Sequence, residues 1–367
     1  MKCGSLAKLL GKCGKMKLNE FYKDKRVFIT GHSGFKGSWM CKILDSFGAN
    51  VMGYSLKPEK ESLYTLLKTT NVDSVFSDIR DLKTLEKAMI NFEPEIVIHM
   101  AAQPIVRESY NNPVYTYETN VMGTVNVMEA IRKCKSVKSV INVTTDKVYK
   151  NKEWCWGYRE DEELNGFDPY SNSKSCSDLV TQCYRNSFLK EIPITICRAG
   201  NVIGGGDFAI DRIIPDCYRS AKENHEILIR NPSSIRPYQH VLEPVIAYLY
   251  LAMKQFNNHS YMGEYNIGPD DKDCISTGEI ATIFCKCWGN NLNWKHLELL
   301  NEVHEANFLK LDCSKIKNNC DWRPSWDIYK AVDKTVEWYK GFIGNEDINS
   351  LMINQIVEYL SCQEFMK

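Results

Sequence analysis

Three glycines in seven residues, Gly31, Gly34 and Gly37, follow directly on the apolar run Val27-Phe28-Ile29-Thr30. They precede a helix-like stretch through Trp39, Met40, Ile43, Leu44 and Phe47 that stops at Gly48. Strand, glycine turn and helix in that order make one βα unit, and parallel sheets are what βα units build. The spacing G-x-x-G-x-x-G is a variant of the dinucleotide fingerprint. Its first glycine permits a tight turn, its second lets phosphates approach the backbone, and its third lets helix and strand pack closely. The helix N-terminus adds free N–H donors for those phosphates. Gly31, Ser33, Gly34, Phe35, Lys36 and Gly37 are therefore the expected phosphate end of a dinucleotide site.

The same rhythm continues downstream. Strand candidates at 50–55, 74–77, 96–100, 140–144 and 194–198 alternate with helical patterns at 82–92, 115–134 and 171–189. Alternation of this kind predicts the α/β class, a Rossmann doubly wound parallel sheet, with ligand at the carboxyl ends of the strands. After Arg198 the pattern breaks at Gly204-Gly205-Gly206 into shorter, mixed elements. The expected division is a dinucleotide-binding domain over 19–200 and a smaller, interleaved substrate domain over 201–360. Part of 238–262 is expected to pack back on the sheet, because 245–253 is almost wholly apolar. Residues 1–18 read as a disordered extension; the short apolar patch at 6–10 is too small for a secretory signal.

Charge excludes several partners. With 46 basic and 46 acidic residues the chain is neutral, so neither nucleic acid nor an anionic membrane is an expected partner. No run approaches the roughly eighteen apolar residues of a membrane span. The fifteen cysteines lie scattered in apolar stretches without a Cys-x-x-Cys pair, as expected of reduced thiols in a cytoplasmic protein. Cys285-x-Cys287 reads as core packing, and no metal site is expected.

Tyr170-Ser171-Asn172-Ser173-Lys174 carries the chemistry. On a helix, residues i and i+4 share a face, so the phenol and the ammonium can meet one ligand. A nearby ammonium favours phenolate, which draws the tyrosine pKa down from about 10 towards working pH, where it can take an alcohol proton during hydride transfer. Asp78-Ile79, at the end of a later strand, can meet an adenine edge, or an aspartate there can cap the next helix. The second strand ends Gly53-Tyr54-Ser55-Leu56, without the carboxylate that accepts from the ribose 2′-OH of NAD. NAD held loosely is the expected cofactor, although Lys36 and Lys57 leave a 2′-phosphate conceivable.

The ordered set Thr30 to Gly37, His99-Met100-Ala101-Ala102-Gln103, Thr119-Asn120-Val121, Thr144 to Tyr149 and Tyr170 to Lys174 resembles the extended short-chain dehydrogenase/reductase family of nucleotide-sugar enzymes. Arg198 to Asp207, Asp211 to Asp216 and Arg236 to Val241 are similar to its CDP-glucose 4,6-dehydratase branch. The resemblance covers about residues 20–340. It implies NAD as the cofactor and CDP-glucose as the substrate, with a homodimer or dimer of dimers as the assembly. It also implies a catalytic triad of Thr145, Tyr170 and Lys174, and cofactor contacts from Ala101, Ala102, Gln103, Asn120 and Thr144 besides the glycine turn and Asp78-Ile79. Substrate contacts would come from Gln103, Tyr149, Asn201, Arg212, Arg236 and His240.

Many relatives place an Asp-Glu pair after the threonine for the elimination step; here it reads Asp146-Lys147, as the CDP-glucose branch does. Asp146 would then protonate the departing hydroxyl, if kept neutral, or organise a water that does so. Lys147 either takes the C5 proton, which requires a depressed pKa, or stabilises the enolate by its charge. A 4-epimerase, a dTDP- or GDP-sugar dehydratase and a non-catalytic dinucleotide sensor are the alternatives. The sensor is disfavoured by the retained Tyr170–Lys174 pair, the epimerase by Asp146 beside a second ionisable residue.

Overall fold

The computed structural model describes residues 18–297 and 307–363; the expected N-terminal extension lies outside the described residues except for Leu18. Seven strands form one all-parallel sheet: β1 (Arg26–Thr30), β2 (Asn50–Ser55), β3 (Val72–Phe76), β4 (Ile96–His99), β5 (Ser139–Val143), β6 (Ile194–Ala199) and β7 (Gly263–Ile267). Their spatial order is β7-β6-β5-β4-β1-β2-β3. Every residue of β4, β5 and β6 is buried, as helices on both faces of a parallel sheet demand. The doubly wound expectation holds. Its helices are α1 (Phe35–Phe47), α2 (Leu82–Phe92), α3 (Gly123–Lys133) and α4 (Pro169–Ser187).

Three local expectations shift. The third strand is Val72–Phe76 rather than 74–77; as an edge strand it is only half-buried, so its apolar pattern is weak. The helix expected over 115–134 runs Pro113–Tyr117, then a π-turn at Glu118–Met122, then α3. That turn aims the Asn120 amide at the loop after β4: Oδ1 accepts from Gln103 N at 2.8 Å, and Nδ2 donates to Ser173 Oγ at 2.9 Å. π-turns often mark such functional junctions. The division near 200 also proves more deeply interleaved, because β7 follows it in sequence yet pairs with β6 in the main sheet.

The crossover into β7 is α6 (Leu242–Asn257), which follows α5 (Ile213–Lys222) in chain order. Leu242 through Met253 are buried without a break, so α6 is enclosed on all sides, between the sheet and the rest of the C-terminal half. It lies against β5 and β6, where Gln255 Nε2 donates to Ser139 Oγ (2.8 Å) and to Val140 O (2.9 Å). Residues 242–257 of the segment 238–262 form this helix. Beyond the sheet, α5 packs on α7 (Thr277–Trp288), α7 on α8 (Ile328–Ile343), and α9 (Ile348–Cys362) returns to α1. Cys285 of α7 is in the core and Cys287 packs against it. Among the described residues no helix is long and apolar enough to cross a membrane.

Candidate active site

A cavity of about 950 Å³ opens at the carboxyl ends of the strands, between the sheet and the helices that follow β6. Its floor is the glycine turn. A methyl group on Gly31, whose φ is +77°, would meet Ala101 N at 2.8 Å, and one on Gly37 would sit 2.2 Å from Gly31 O. Gly34 differs: its nearest neighbour would be Gly31 O at 3.4 Å, and it faces the cavity, so its missing side chain leaves room for a ligand. Ser38 N closes the first helical bond on Gly34 O. The N–H groups of Phe35, Lys36 and Gly37 precede it and are the orphan donors of the helix start. These residues fit a dinucleotide's pyrophosphate.

At the far end of the cavity lie Ser55, Leu56, Asp78 and Ile79. Asp81, not Asp78, caps α2 by accepting from Thr84 N, which leaves Asp78 at the cavity wall. Arg80 binds the Asp78 carboxylate through Nε (3.1 Å) and Nη2 (2.8 Å) and holds its pKa below the ordinary range. Where a carboxylate would take the ribose, Ser55 Oγ instead meets His32 Nδ1 (3.0 Å) and Ser33 Oγ (2.7 Å).

The catalytic end is built by two segments. β5 runs into Thr144 and Thr145, then a single 3₁₀ turn, Asp146–Val148, started by Thr145 Oγ1 accepting from Lys147 N. Opposite it begins α4, capped by Asp168, with Pro169 in its first turn; Tyr170 and Lys174 lie one turn apart. Thr145, Asp146, Lys147, Tyr170 and Lys174 all face the cavity, and Tyr170 hydrogen-bonds Thr145. Thr145 Oγ1 donates to Asp146 Oδ1 at 2.9 Å, while Asp146 Oδ2 is buried without a partner. Lys147 Nζ lies 3.7 Å from Asp146 Oδ1 and 3.5 Å from Asn201 Oδ1.

The electrostatics differ from the sequence expectation. Burial, with Asp146 and Asp168 adding to it, pushes the Tyr170 phenol up to about 12, against the pull of Thr145 and Arg212. Lys174 does not lower it: its ammonium donates to Val143 O at 2.9 Å, and burial, followed by the charge of Lys36, brings Lys174 down to about 7. Lys36 is itself lowered to about 8 by burial and then by Arg212, with Asp146 opposing. Its charge is thus felt by Arg212 and Asp146 across the cavity.

Lys174 is 4% exposed, so its charge affects stability. The folded pKa of about 7 lies below the ordinary 10.5, and between those values the unfolded chain holds a proton that the folded one does not. Stability therefore rises with pH through that window, by up to about 1.4 kcal/mol per pH unit. Lys174→Met is expected to melt higher than the parent at pH 7, with the gap closing towards pH 10. An equal difference at both pH values, read by thermal melting, would contradict the burial.

Other expected contacts are relocated. Gln103 does not line the cavity: its Nε2 donates to Thr116 Oγ1 at 2.9 Å and its Oε1 accepts from Ile105 N at 2.6 Å. Asn120 is buried behind it, as a brace for the loop carrying Ala101 and Ala102, which do face the cavity. His240 is fully buried between Trp39 and Trp326, and burial lowers its pKa to about 3. It is a core residue whose Nδ1 accepts from Leu242 N. Tyr149 presents its ring to the cavity, but its hydroxyl turns away to Asn266 Oδ1 at 2.6 Å. Thr144 also lines it, with its hydroxyl 3.4 Å from Asp178.

Asn201, Arg212 and Arg236 border the cavity, Arg212 held by Asp207 at 2.9 Å. Asp207, Arg107, Asp211 and Arg230 were not singled out from the sequence. Asp211 joins Arg230 (2.9 Å) to Arg107 (3.6 Å), one arginine from each side of the cleft. More than a hundred residues separate Arg107 from Asp211, and no local pattern signals such a bridge.

Comparison with known proteins agrees with this geometry. Residues 28–335 match the family model described as GDP-mannose 4,6 dehydratase. The CDP-glucose 4,6-dehydratase of Salmonella typhimurium is 44% identical over 351 residues, 93% of this chain and 98% of that protein. The CDP-paratose 2-epimerase of Salmonella typhi is 25% identical, over 85% of this chain and 98% of its own. Among solved structures, the dTDP-glucose 4,6-dehydratase of Bacillus anthracis with NAD superimposes with a TM-score of 0.73 at 21% identity, covering 89% of this chain and 99% of that one. The UDP-glucose 4-epimerase of Thermotoga maritima with UDP-glucose gives 0.76 at 21% identity, covering 87% and 99%. At that identity both show the fold alone.

Proposed function

The chain belongs to the GDP-mannose 4,6 dehydratase family, and on that premise we propose that it removes water from CDP-glucose to give CDP-4-dehydro-6-deoxyglucose. The observation that carries this reading is the Thr145–Asp146–Lys147 turn facing Tyr170 in one cavity, with Asp146 Oδ2 buried and unpartnered. A 4-epimerase needs the tyrosine and the threonine, but no group to move a proton at O6. Cytosine is favoured as the base by the 44% identical relative.

The redox chemistry is that of NAD, held by the glycine cradle: hydride leaves C4 and returns at C6. Tyr170 takes the 4-hydroxyl proton, and Thr145 orients O4 through its hydroxyl. Lys174, one turn from Tyr170 and facing the same cavity, would help hold the cofactor. The C4 ketone acidifies C5–H; Asp146 delivers a proton to O6 as the hydroxyl leaves as water. Lys147, 3.7 Å from Asp146, takes the C5 proton in the same step and returns it to C5 when hydride reaches C6. Arg212 and Arg236 hold the diphosphate, whose oxygens match guanidinium forks. The reading includes a homodimer, supported by the exposed apolar side chains Val114 and Met122 beside Leu179 and Phe188 at α4.

Incubation of the protein with CDP-glucose and NAD should give a sugar nucleotide lighter by one water, detected by mass spectrometry. Added NAD is expected to raise the rate and NADP to leave it unchanged. An isomer at unchanged mass would replace dehydration by epimerisation; water loss only from dTDP- or GDP-glucose would replace the base.

A further inference from the structure

Arg198 and Asp178 form an ion pair with exposures of 1% and 0%. The guanidinium grips the carboxylate through Nε (2.8 Å) and Nη2 (3.0 Å). Its third nitrogen, Nη1, donates to the Tyr149 hydroxyl at 2.9 Å and to Glu160 O at 2.7 Å. The carboxylate is shared further: Gln182 Nε2 donates to Oδ1 at 2.8 Å and Thr144 Oγ1 lies 3.4 Å from Oδ2.

These contacts join the two catalytic segments from behind. Asp178 is four residues beyond Lys174 on α4, hence directly beneath it on the same face. Tyr149 is the residue that ends the Asp146–Val148 turn, and Thr144 precedes Thr145. Arg198 sits on β6, next to β5, and the Tyr149 hydroxyl extends the link to Asn266 on β7. Neither Arg198 nor Asp178 is needed to touch substrate or cofactor in the proposed reaction. A buried pair of this kind is weak evidence for stability, since desolvating both charges offsets most of their attraction.

We propose that Arg198, through Asp178 and the Tyr149 hydroxyl, is a positioning residue that fixes the Thr145–Lys147 turn relative to the helix bearing Tyr170 and Lys174. The inference rests on the dehydratase reading, because positioning is expressed in turnover. Only a guanidinium provides two nitrogens for the carboxylate and a third for the phenol. Lysine keeps the charge opposite Asp178 but lacks that fork.

The test is a cycle of Tyr149→Phe, Arg198→Lys and the double variant, with kcat and KM measured on CDP-glucose and folding checked by melting. Each single variant should lower kcat about ten- to a hundredfold, the scale of a misplacement of about 1 Å, with KM within about twofold. The double variant should lose no more than the worse single one, because both cut the same link. Unchanged kcat in folded Tyr149→Phe would overturn the inference. So would a raised KM at unchanged kcat, which assigns the hydroxyl to substrate binding, or losses that multiply in the double variant. An inactive parent protein would instead overturn the dehydratase reading, before any variant is compared.

Discussion

Tyr170→Phe is expected to lower kcat for water loss by about a thousandfold, within the range of about 10²–10⁴ that a positioned general base contributes. The substitution removes the phenol oxygen that faces Thr145 and leaves the ring in place. Stability should barely change, since burial already disfavours the ionised phenol in the free protein, whose pKa is pushed up to about 12. Activity loss with an unaltered melting temperature therefore separates chemistry from folding. Retention of more than about a tenth of the parent kcat would remove Tyr170 from the base role, and with it the assignment of the cavity's catalytic end. Because the phenol is protonated in the free protein, the proton acceptor forms only when positive charge joins it in the complex. Arg212 already pulls in that direction, and the positive charge of an oxidised cofactor held by the glycine turn would add to it.

Asp146→Asn should separate the steps. The amide oxygen can still accept from Thr145, so the turn survives, but the side chain no longer has a proton to give. Water loss is expected to fall by about two to three orders of magnitude, while C4 oxidation continues. Reduced nicotinamide should then accumulate when CDP-glucose is added, visible in its absorbance. Lys147→Met should show the same pattern, because it removes the group that takes the C5 proton. Equal losses of C4 oxidation and water release would place Asp146 in the first step and undo the division of labour proposed for the turn.

Much of this was legible in the sequence because it is local. The glycine turn, the β5 exit at Thr144-Thr145 and the Tyr170–Lys174 spacing each depend on a few consecutive residues whose backbone preferences fix their geometry. The sheet's strands were equally legible wherever both faces are buried, as in β4, β5 and β6, and less so at the half-exposed edge strand β3. Strand β7 escaped notice: Gly263-Glu264-Tyr265-Asn266-Ile267 carries two polar residues in five, and its place beside β6 follows from the helix before it.

The sequence by itself determined the doubly wound class, the dinucleotide cradle and which side chains can move protons. Tertiary structure alone decided their environments. It half-buried Tyr170 and raised its pKa, turned Lys174 onto a backbone carbonyl, set Lys36 within the field of Arg212 and Asp146, and withdrew Gln103, Asn120 and His240 from the cavity. It also closed Arg107 on Asp211 and Arg198 on Asp178. The physical reason is range: backbone preference and side-chain period act over a few residues, whereas desolvation and ion pairing depend on whatever the packed chain brings within a few ångströms, however distant in sequence.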